Sequence, residues 1–212
     1  MEKIVEFFRA GGFVMYPLAV LSCAAVFVIV ERFLAYRTIA FRAPKLVNDV
    51  LASVEKDDFE GAKQMCAEVS GPVAATLGAC LDSRGQSVKS AEGRVQEAGE
   101  EYFVQMERYL PVLDTTTTVS PLLGLLGTIL GMIGTFQAVS RAKTAAATDS
   151  VLSGVGEALY ATATGLIIAV ICFISYNYFS ARQRATIGAT EIASTKLINI
   201  LTKKGELKDH DI

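Results

Sequence analysis

Val119-Ser120-Pro121-Leu122-Leu123-Gly124-Leu125-Leu126-Gly127-Thr128-Ile129-Leu130-Gly131-Met132-Ile133-Gly134-Thr135-Phe136-Gln137-Ala138-Val139 carries no charged side chain. At ~1.5 Å per residue this run covers the ~30 Å hydrocarbon layer of a bilayer. Backbone polar groups in lipid must be satisfied within the segment, so the run is expected to be a helix. Two more long apolar runs flank it, from Phe13 to Val30 or Phe33 and from Ala158 to Phe179. Three membrane spans follow.

Outside the spans the composition changes. Of the 212 residues 51% are apolar and 20% charged, and most charges fall in two blocks, roughly residues 31–114 and 182–212. This is the layout of a membrane protein with water-facing parts. The net charge of −2 and the absence of a basic cluster with interleaved aromatics argue against nucleic acid as a partner. Cys23, Cys66, Cys80 and Cys172 share no close spacing, and the single histidine is His210. Neither a zinc site nor a disulfide framework is expected. No cofactor and no metal is expected either, and no enzyme: there is no nucleophile motif, ligand pair or glycine-lysine phosphate loop.

The first run could be read as a cleaved signal peptide, since Lys3 and Arg9 precede it and Val20-Leu21-Ser22-Cys23 hints at a lipoprotein site. The apolar run continues through Ala24-Ala25-Val26-Phe27-Val28-Ile29-Val30, where a cleaved segment should turn polar, so a retained anchor is expected. Arg32, Arg37, Arg42 and Lys45 follow the first span, Arg108 precedes the second, and Arg182 and Arg184 follow the third. Lys3, Arg9, Arg141 and Lys143 lie on the other side. This bias expects the N-terminus outside and the C-terminus in the cytoplasm.

The fold expected is all-α: three transmembrane helices extended into a cytoplasmic helical bundle. Its segments are an outer-surface amphipathic helix (1–12), span one (13–33), a cytoplasmic helical region (34–110) and span two (111–140). A short outer loop with the start of the third helix (141–156), span three (157–180) and a cytoplasmic helical tail (181–212) complete it. Leu46, Val47, Val50, Leu51 and Val54 form a helical stripe, and Ser70-Gly71-Pro72 separates two short helices. A polar helix runs from Val88 toward Tyr109.

The second span carries Ser120, Gly124, Gly127, Gly131, Gly134 and Ala138 as one row of minimal side chains, with Thr128 and Thr135 beside it. The third carries Ala158, Thr162, Gly165, Ala169 and Cys172. Small residues let helices approach closely in lipid, so these faces are expected to pack together or to line a narrow pore. The plain expectation for Thr128 is a hydroxyl bonded back to a carbonyl one turn earlier. Glu157, after Gly154-Val155-Gly156, has two open readings. One is a carboxylate favoured by the dipole of a helix N-terminus. The other is an acidic group facing a water-filled path in the membrane, where burial would raise its pKa.

Pro121-Leu122-Leu123-Gly124-Leu125-Leu126-Gly127-Thr128-Ile129-Leu130-Gly131-Met132 resembles the second-helix signature of the ExbB/TolQ/MotA proton-channel family. Gly154-Val155-Gly156-Glu157-Ala158-Leu159-Tyr160-Ala161-Thr162-Ala163-Thr164-Gly165-Leu166 resembles the third-helix signature of its ExbB and TolQ members. Three spans fit that branch better than the four-span MotA stators. The resemblance implies a homo-oligomer, a pentamer, around a dimer of a single-span ExbD/TolR-type partner whose membrane aspartate carries protons. It implies that Thr128 and Thr162 form the polar ring this aspartate meets, with Glu157 an acidic position near the path. The implied task is to use the proton motive force of a bacterial inner membrane for outer-membrane transport or envelope processes. An outer-membrane transporter or envelope protein would then be an indirect partner, and lipid the surrounding solvent. The alternative is a membrane scaffold that organises partners without ion flow.

Overall fold

The computed structural model describes residues 12–40, 43–141 and 147–208. Seven helices are present among them: α1 Met15–Ala40, α2 Ala43–Glu55, α3 Phe59–Ala67, α4 Pro72–Leu81, α5 Val88–Glu107, α6 Leu110–Arg141 and α7 Ala147–Lys203. The surface helix expected over residues 1–12 lies, but for Gly12, outside the described residues. The described chain contains no β-strand, only an isolated bridge between Ser87 and Lys208. Three helices are long and apolar enough to cross a membrane, in windows within 15–37, 88–137 and 154–203. This is an all-α integral membrane protein.

The chain forms two compact units. One comprises residues 1–31 and 109–178, the other residues 32–108 and 179–212. In the first, the start of α1, α6 and the first part of α7 supply the spans. Phe27, Ile129, Phe136, Ile167 and Ile174 are at least half exposed. Such surface would be a liability in water, and in hydrocarbon it is the solvent-facing side. The interior of this unit is made of small groups: Ala158, Ala161, Ala169, Ser120 and Thr135 are buried.

The second unit is a water-type bundle. Leu46, Val50 and Val54 of α2, Ala62 and Cys66 of α3, Val73, Leu77 and Cys80 of α4, and Ala193, Leu197 and Leu201 of α7 form one core. Fully burying a Val or Leu side chain stabilises by about 1.5–3 kcal/mol, which gives these short helices reason to fold. Their ends follow local chemistry. Asp58 caps α3 by accepting from the Gly61 N–H at 2.9 Å, and Ser87 caps α5 by accepting from Ser90 at 3.2 Å. Gly71 takes φ +148°, which favours glycine, and Pro72 then starts α4 where its missing N–H costs nothing.

The start of α5 is tied to the chain just past α7. Gly85 N–H donates to Glu206 O at 2.7 Å, Val88 N–H to Lys208 O at 3.1 Å, and Lys208 N–H to Gln86 O at 2.9 Å. At the other end of α5, Arg32 is 5% exposed and its guanidinium donates to the carbonyls of Gln105 (2.8 Å) and Met106 (3.1 Å). Tyr36 adds an O–H to Met106 O at 3.2 Å and stacks on Phe179 at 5.6 Å between centroids. A helix leaves its last carbonyls unpaired, and a cation there also meets the negative end of the dipole. These contacts fix α5 and the last part of α7 as antiparallel neighbours.

Candidate functional site

The two helices that bear the small-residue rows pack against each other through them, antiparallel. A methyl group added at Gly124 would come within 2.9 Å of the Thr162 Cα, one at Gly127 within 2.6 Å of Ala161 Cβ, and one at Gly131 within 2.8 Å of Ala158 Cβ. At Gly165 it would meet the Ser120 carbonyl oxygen, and at Gly154 the Thr135 hydroxyl. The pairs 120·165, 124·162, 127·161, 131·158 and 135·154 trace one continuous seam. Backbone stands in the way at Gly124 and Gly165, so nothing flexible could yield there.

Gly134 is not part of it. It sits beside open space, with nothing within 4 Å of a built Cβ. Thr135, one residue on, takes the seam position and is 6% exposed, its hydroxyl donating to Gly131 O at 2.9 Å. Ala158 and Ala169 are buried on the α7 side. Ala138 has no described side chain.

The hydroxyls divide into two kinds. Most bond back within their own helix: Thr116 to Val112 O, Thr117 to Leu113 O, Thr164 to Tyr160 O. Thr128 follows this pattern, donating to Leu125 O at 2.7 Å, as the plain expectation had it. Thr162 does not. Its hydroxyl crosses the seam and donates to Gly124 O, 38 residues away, at 2.8 Å. Only a glycine at 124 lets the α7 backbone come close enough for that bond. Pro121 lies inside α6 and has no N–H, so the carbonyl one turn before it loses its helical partner.

Glu157 lies ten residues past the start of α7, at Ala147. The reading of Glu157 as a helix N-terminal carboxylate is therefore corrected. The third helix begins well before Gly154-Val155-Gly156, and the dipole's influence fades within the first turn. The backbone also separates it from Thr162. Five residues at ~100° each place the two positions about 140° apart around α7. Thr162 and Gly124 are brought together by the fold, whereas Thr162 and Glu157 do not share a helix face.

Sequence reading missed three features. The Thr162–Gly124 bond needs the helix register, which no spacing prints. The role of Arg32 needed knowledge of where α5 ends; an arginine one turn before a tyrosine at a span border was the available signal. The buried Ser120 hydroxyl, with no partner among the described residues, was visible only as one more small side chain. Among the described residues no three His, Cys, Asp or Glu side chains gather as metal ligands, and all four cysteines are free.

Comparison with known sequences gives the class of protein that carries this helix pair. The profile of the MotA/TolQ/ExbB proton channel family matches residues 64–192, so this chain belongs to that family. It is 34% identical over 171 residues to a Synechocystis sp. protein described as an ExbB-like biopolymer transport protein, covering 80% of this chain and 81% of that one. It is 31% identical over 176 residues to the biopolymer transport protein ExbB of Vibrio cholerae, covering 80% and 76%. It is 36% identical over 105 residues to the Tol-Pal system protein TolQ of Pseudomonas aeruginosa, covering 50% and 45%. The chain is an inner-membrane energising subunit of the ExbB/TolQ kind.

Proposed function

We propose that several copies of this chain, five by the family resemblance, surround a dimer of a single-span ExbD/TolR-type protein and turn proton entry into movement of that partner. Residues 13–33, 111–140 and 157–180 lie in the membrane, with 34–110 and 181–212 in the cytoplasm and the N-terminus outside. The output drives outer-membrane transport or an envelope process. Thr128 and Thr162 form the polar level that the partner's acidic side chain meets. Glu157 serves the same path from another face of α7. Gly124, Gly127, Gly131, Thr135, Ala158, Gly165 and Ala169 hold the two pore helices together, and Gly134 lines open space.

The observation that carries this reading is the Thr162 hydroxyl bonded to Gly124 O across the seam. It keeps a polar group at one fixed place where the two helices meet. A protonated carboxyl group crossing hydrocarbon needs an acceptor of this kind, since an unpaired polar group there is costly. Each proton moving down ~100 mV releases ~2.3 kcal/mol, enough to offset that cost in part. A scaffold without ion flow accounts for the glycine seam and gives the interhelical hydroxyl no task.

The test is proton flux in vesicles holding this chain and its partner. Thr162→Val keeps the shape and removes the hydroxyl; flux is expected to fall at least tenfold, and Thr162→Ser is expected to restore much of it. Unchanged flux in the valine variant removes Thr162 from the pathway.

A further inference from the structure

The proton path leaves one large feature of the second unit unused. Between α5 and the last part of α7 lies an elongated trough of about 800 Å³. Glu92, Glu100 and Glu107 line it from α5 and Glu191 from α7, and no lysine or arginine does. None of the four carboxylates has a hydrogen-bond or ion-pair partner among the described residues. Phe103 of α5 and Ile198 of α7 add apolar surface. An acidic groove alone would be a solvated face. Ser194 makes it more than that. It lines the same trough, is 3% exposed, and its hydroxyl has no hydrogen-bond partner among the described residues. An unpaired buried hydroxyl is costly, so an occupant that brings a donor to it is favoured.

The spacing of the charges narrows the choice of occupant. Glu92, Glu100 and Glu107 follow one another at eight and seven residues. Along the helix axis these steps are ~12 and ~10 Å, and the three positions fall within ~80° around α5. The Debye length at physiological salt is ~8 Å, so each carboxylate attracts a cation of its own almost independently. One ligand that carries several cations at this spacing gains over separate ions, because every contact after the first is intramolecular. An extended chain of nine single bonds, each ~1.5 Å, spans ~11 Å. That is the reach of a triamine with three- and four-carbon spacers.

We propose that the trough is a binding site for a linear aliphatic polyamine. Its end ammonium groups meet two successive carboxylates of α5, and its methylenes lie on Phe103 and Ile198. Glu191 and the Ser194 hydroxyl accept N–H groups from the α7 side, so the ligand ties the two helices together. Such a ligand brings only donors and methylenes. A basic peptide would also set its backbone carbonyls against carboxylates. A single metal ion finds no gathered ligand set among the described residues. The site lies wholly within the second unit and requires no proton flow.

The test is calorimetric titration of spermidine into the full chain in nanodiscs of zwitterionic lipid, with empty nanodiscs as the blank. One site per chain with a submillimolar dissociation constant is expected, with slower hydrogen exchange in both α5 and the last part of α7. Glu100→Gln should weaken binding at least fivefold. Glu101→Gln, on the same helix but outside the trough, should change it less than twofold. Ser194→Ala should weaken binding while raising the thermal midpoint of the unliganded chain, a pairing that a merely structural serine would not give. An eight-carbon terminal diamine should bind at least tenfold more tightly than the four-carbon one, which has the same charge but reaches only ~6 Å. Absence of binding at millimolar spermidine, equal losses in Glu100→Gln and Glu101→Gln, or equal affinity of the two diamines overturns the proposal. So does a lysine-rich peptide that binds more tightly than spermidine and loses as much in Glu100→Gln, which would give the trough to a protein segment. Should circular dichroism show a variant misfolded, the comparison of the two diamines on the native chain decides alone.

Discussion

The glycine seam and the second unit's core are both close-packed, yet they are built on opposite materials. In the seam, Gly124, Gly127, Gly131 and Gly165 bring backbones into contact. In the bundle, Leu77, Leu197, Leu201, Val50 and Val54 fill the space between helices. The difference lies in the solvent each has to leave. Lipid tails are as apolar as leucine, so burying leucine in a membrane gains little and close contact with interhelical hydrogen bonds has to serve. In water the burial of aliphatic area is itself the driving force. The seam should therefore break when atoms are added and the bundle when they are removed.

Leu77→Ala should show the largest effect. Leu77 is fully buried, and a cavity there should cost about 2–5 kcal/mol. Hydrogen exchange of the full chain in nanodiscs should speed up across α3 and α4, with α6 unchanged. Gly165→Ala is the reverse experiment. Its new methyl meets the Ser120 backbone carbonyl, and overpacking of this kind costs about 1–3 kcal/mol. Exchange should then rise along α6 near Ser120 and leave the bundle protected. A substitution that loosens both units equally would refute the contrast.

The alkaline response should come next. Burial, and the neighbouring Cys66, push the Cys80 thiol up to about 12, and burial pushes Cys66 up to about 11, from an ordinary 9.0. Above pH 9 the unfolded chain releases these protons while the folded bundle holds them. Stability is full below pH 9 and is lost as pH rises toward 12. Denaturation of the bundle followed against pH should steepen in that window, and Cys80→Ala should flatten it. The smallest effect belongs to Gly134→Ala. With open space around it, the change should be neutral or stabilise α6 by up to ~1 kcal/mol through helix propensity. Weakened helix pairing in this variant would extend the seam to a residue that the geometry leaves out.

Much of this was legible in the chain. Uncharged runs of span length fix three helices, because unsatisfied backbone in lipid leaves few alternatives. The break at Ser70-Gly71-Pro72 falls where α4 starts, and the stripe from Leu46 to Val54 lies within α2. The third helix was expected to start within residues 141–156; α7 starts at Ala147 and runs on through Gly154 and Gly156. They are tolerated inside α7, and Gly154 is a contact point for Thr135. Which hydroxyl crosses between helices could not be read, since Thr128 and Thr162 sit in nearly identical company. Their difference depends on register, and register is a property of the pair.

Thr162 and Thr128 both give their protons to backbone carbonyls, of Gly124 and Leu125. A hydroxyl so engaged keeps only its lone pairs for anything else. A neutral carboxylic acid can offer a hydrogen to that pair of oxygens; a carboxylate has none to offer and meets only negative partial charge. This part of the wall thus discriminates between the two ionic forms of a visiting acid. It welcomes the loaded form, so the unloaded one has to find its stabilisation elsewhere along the route.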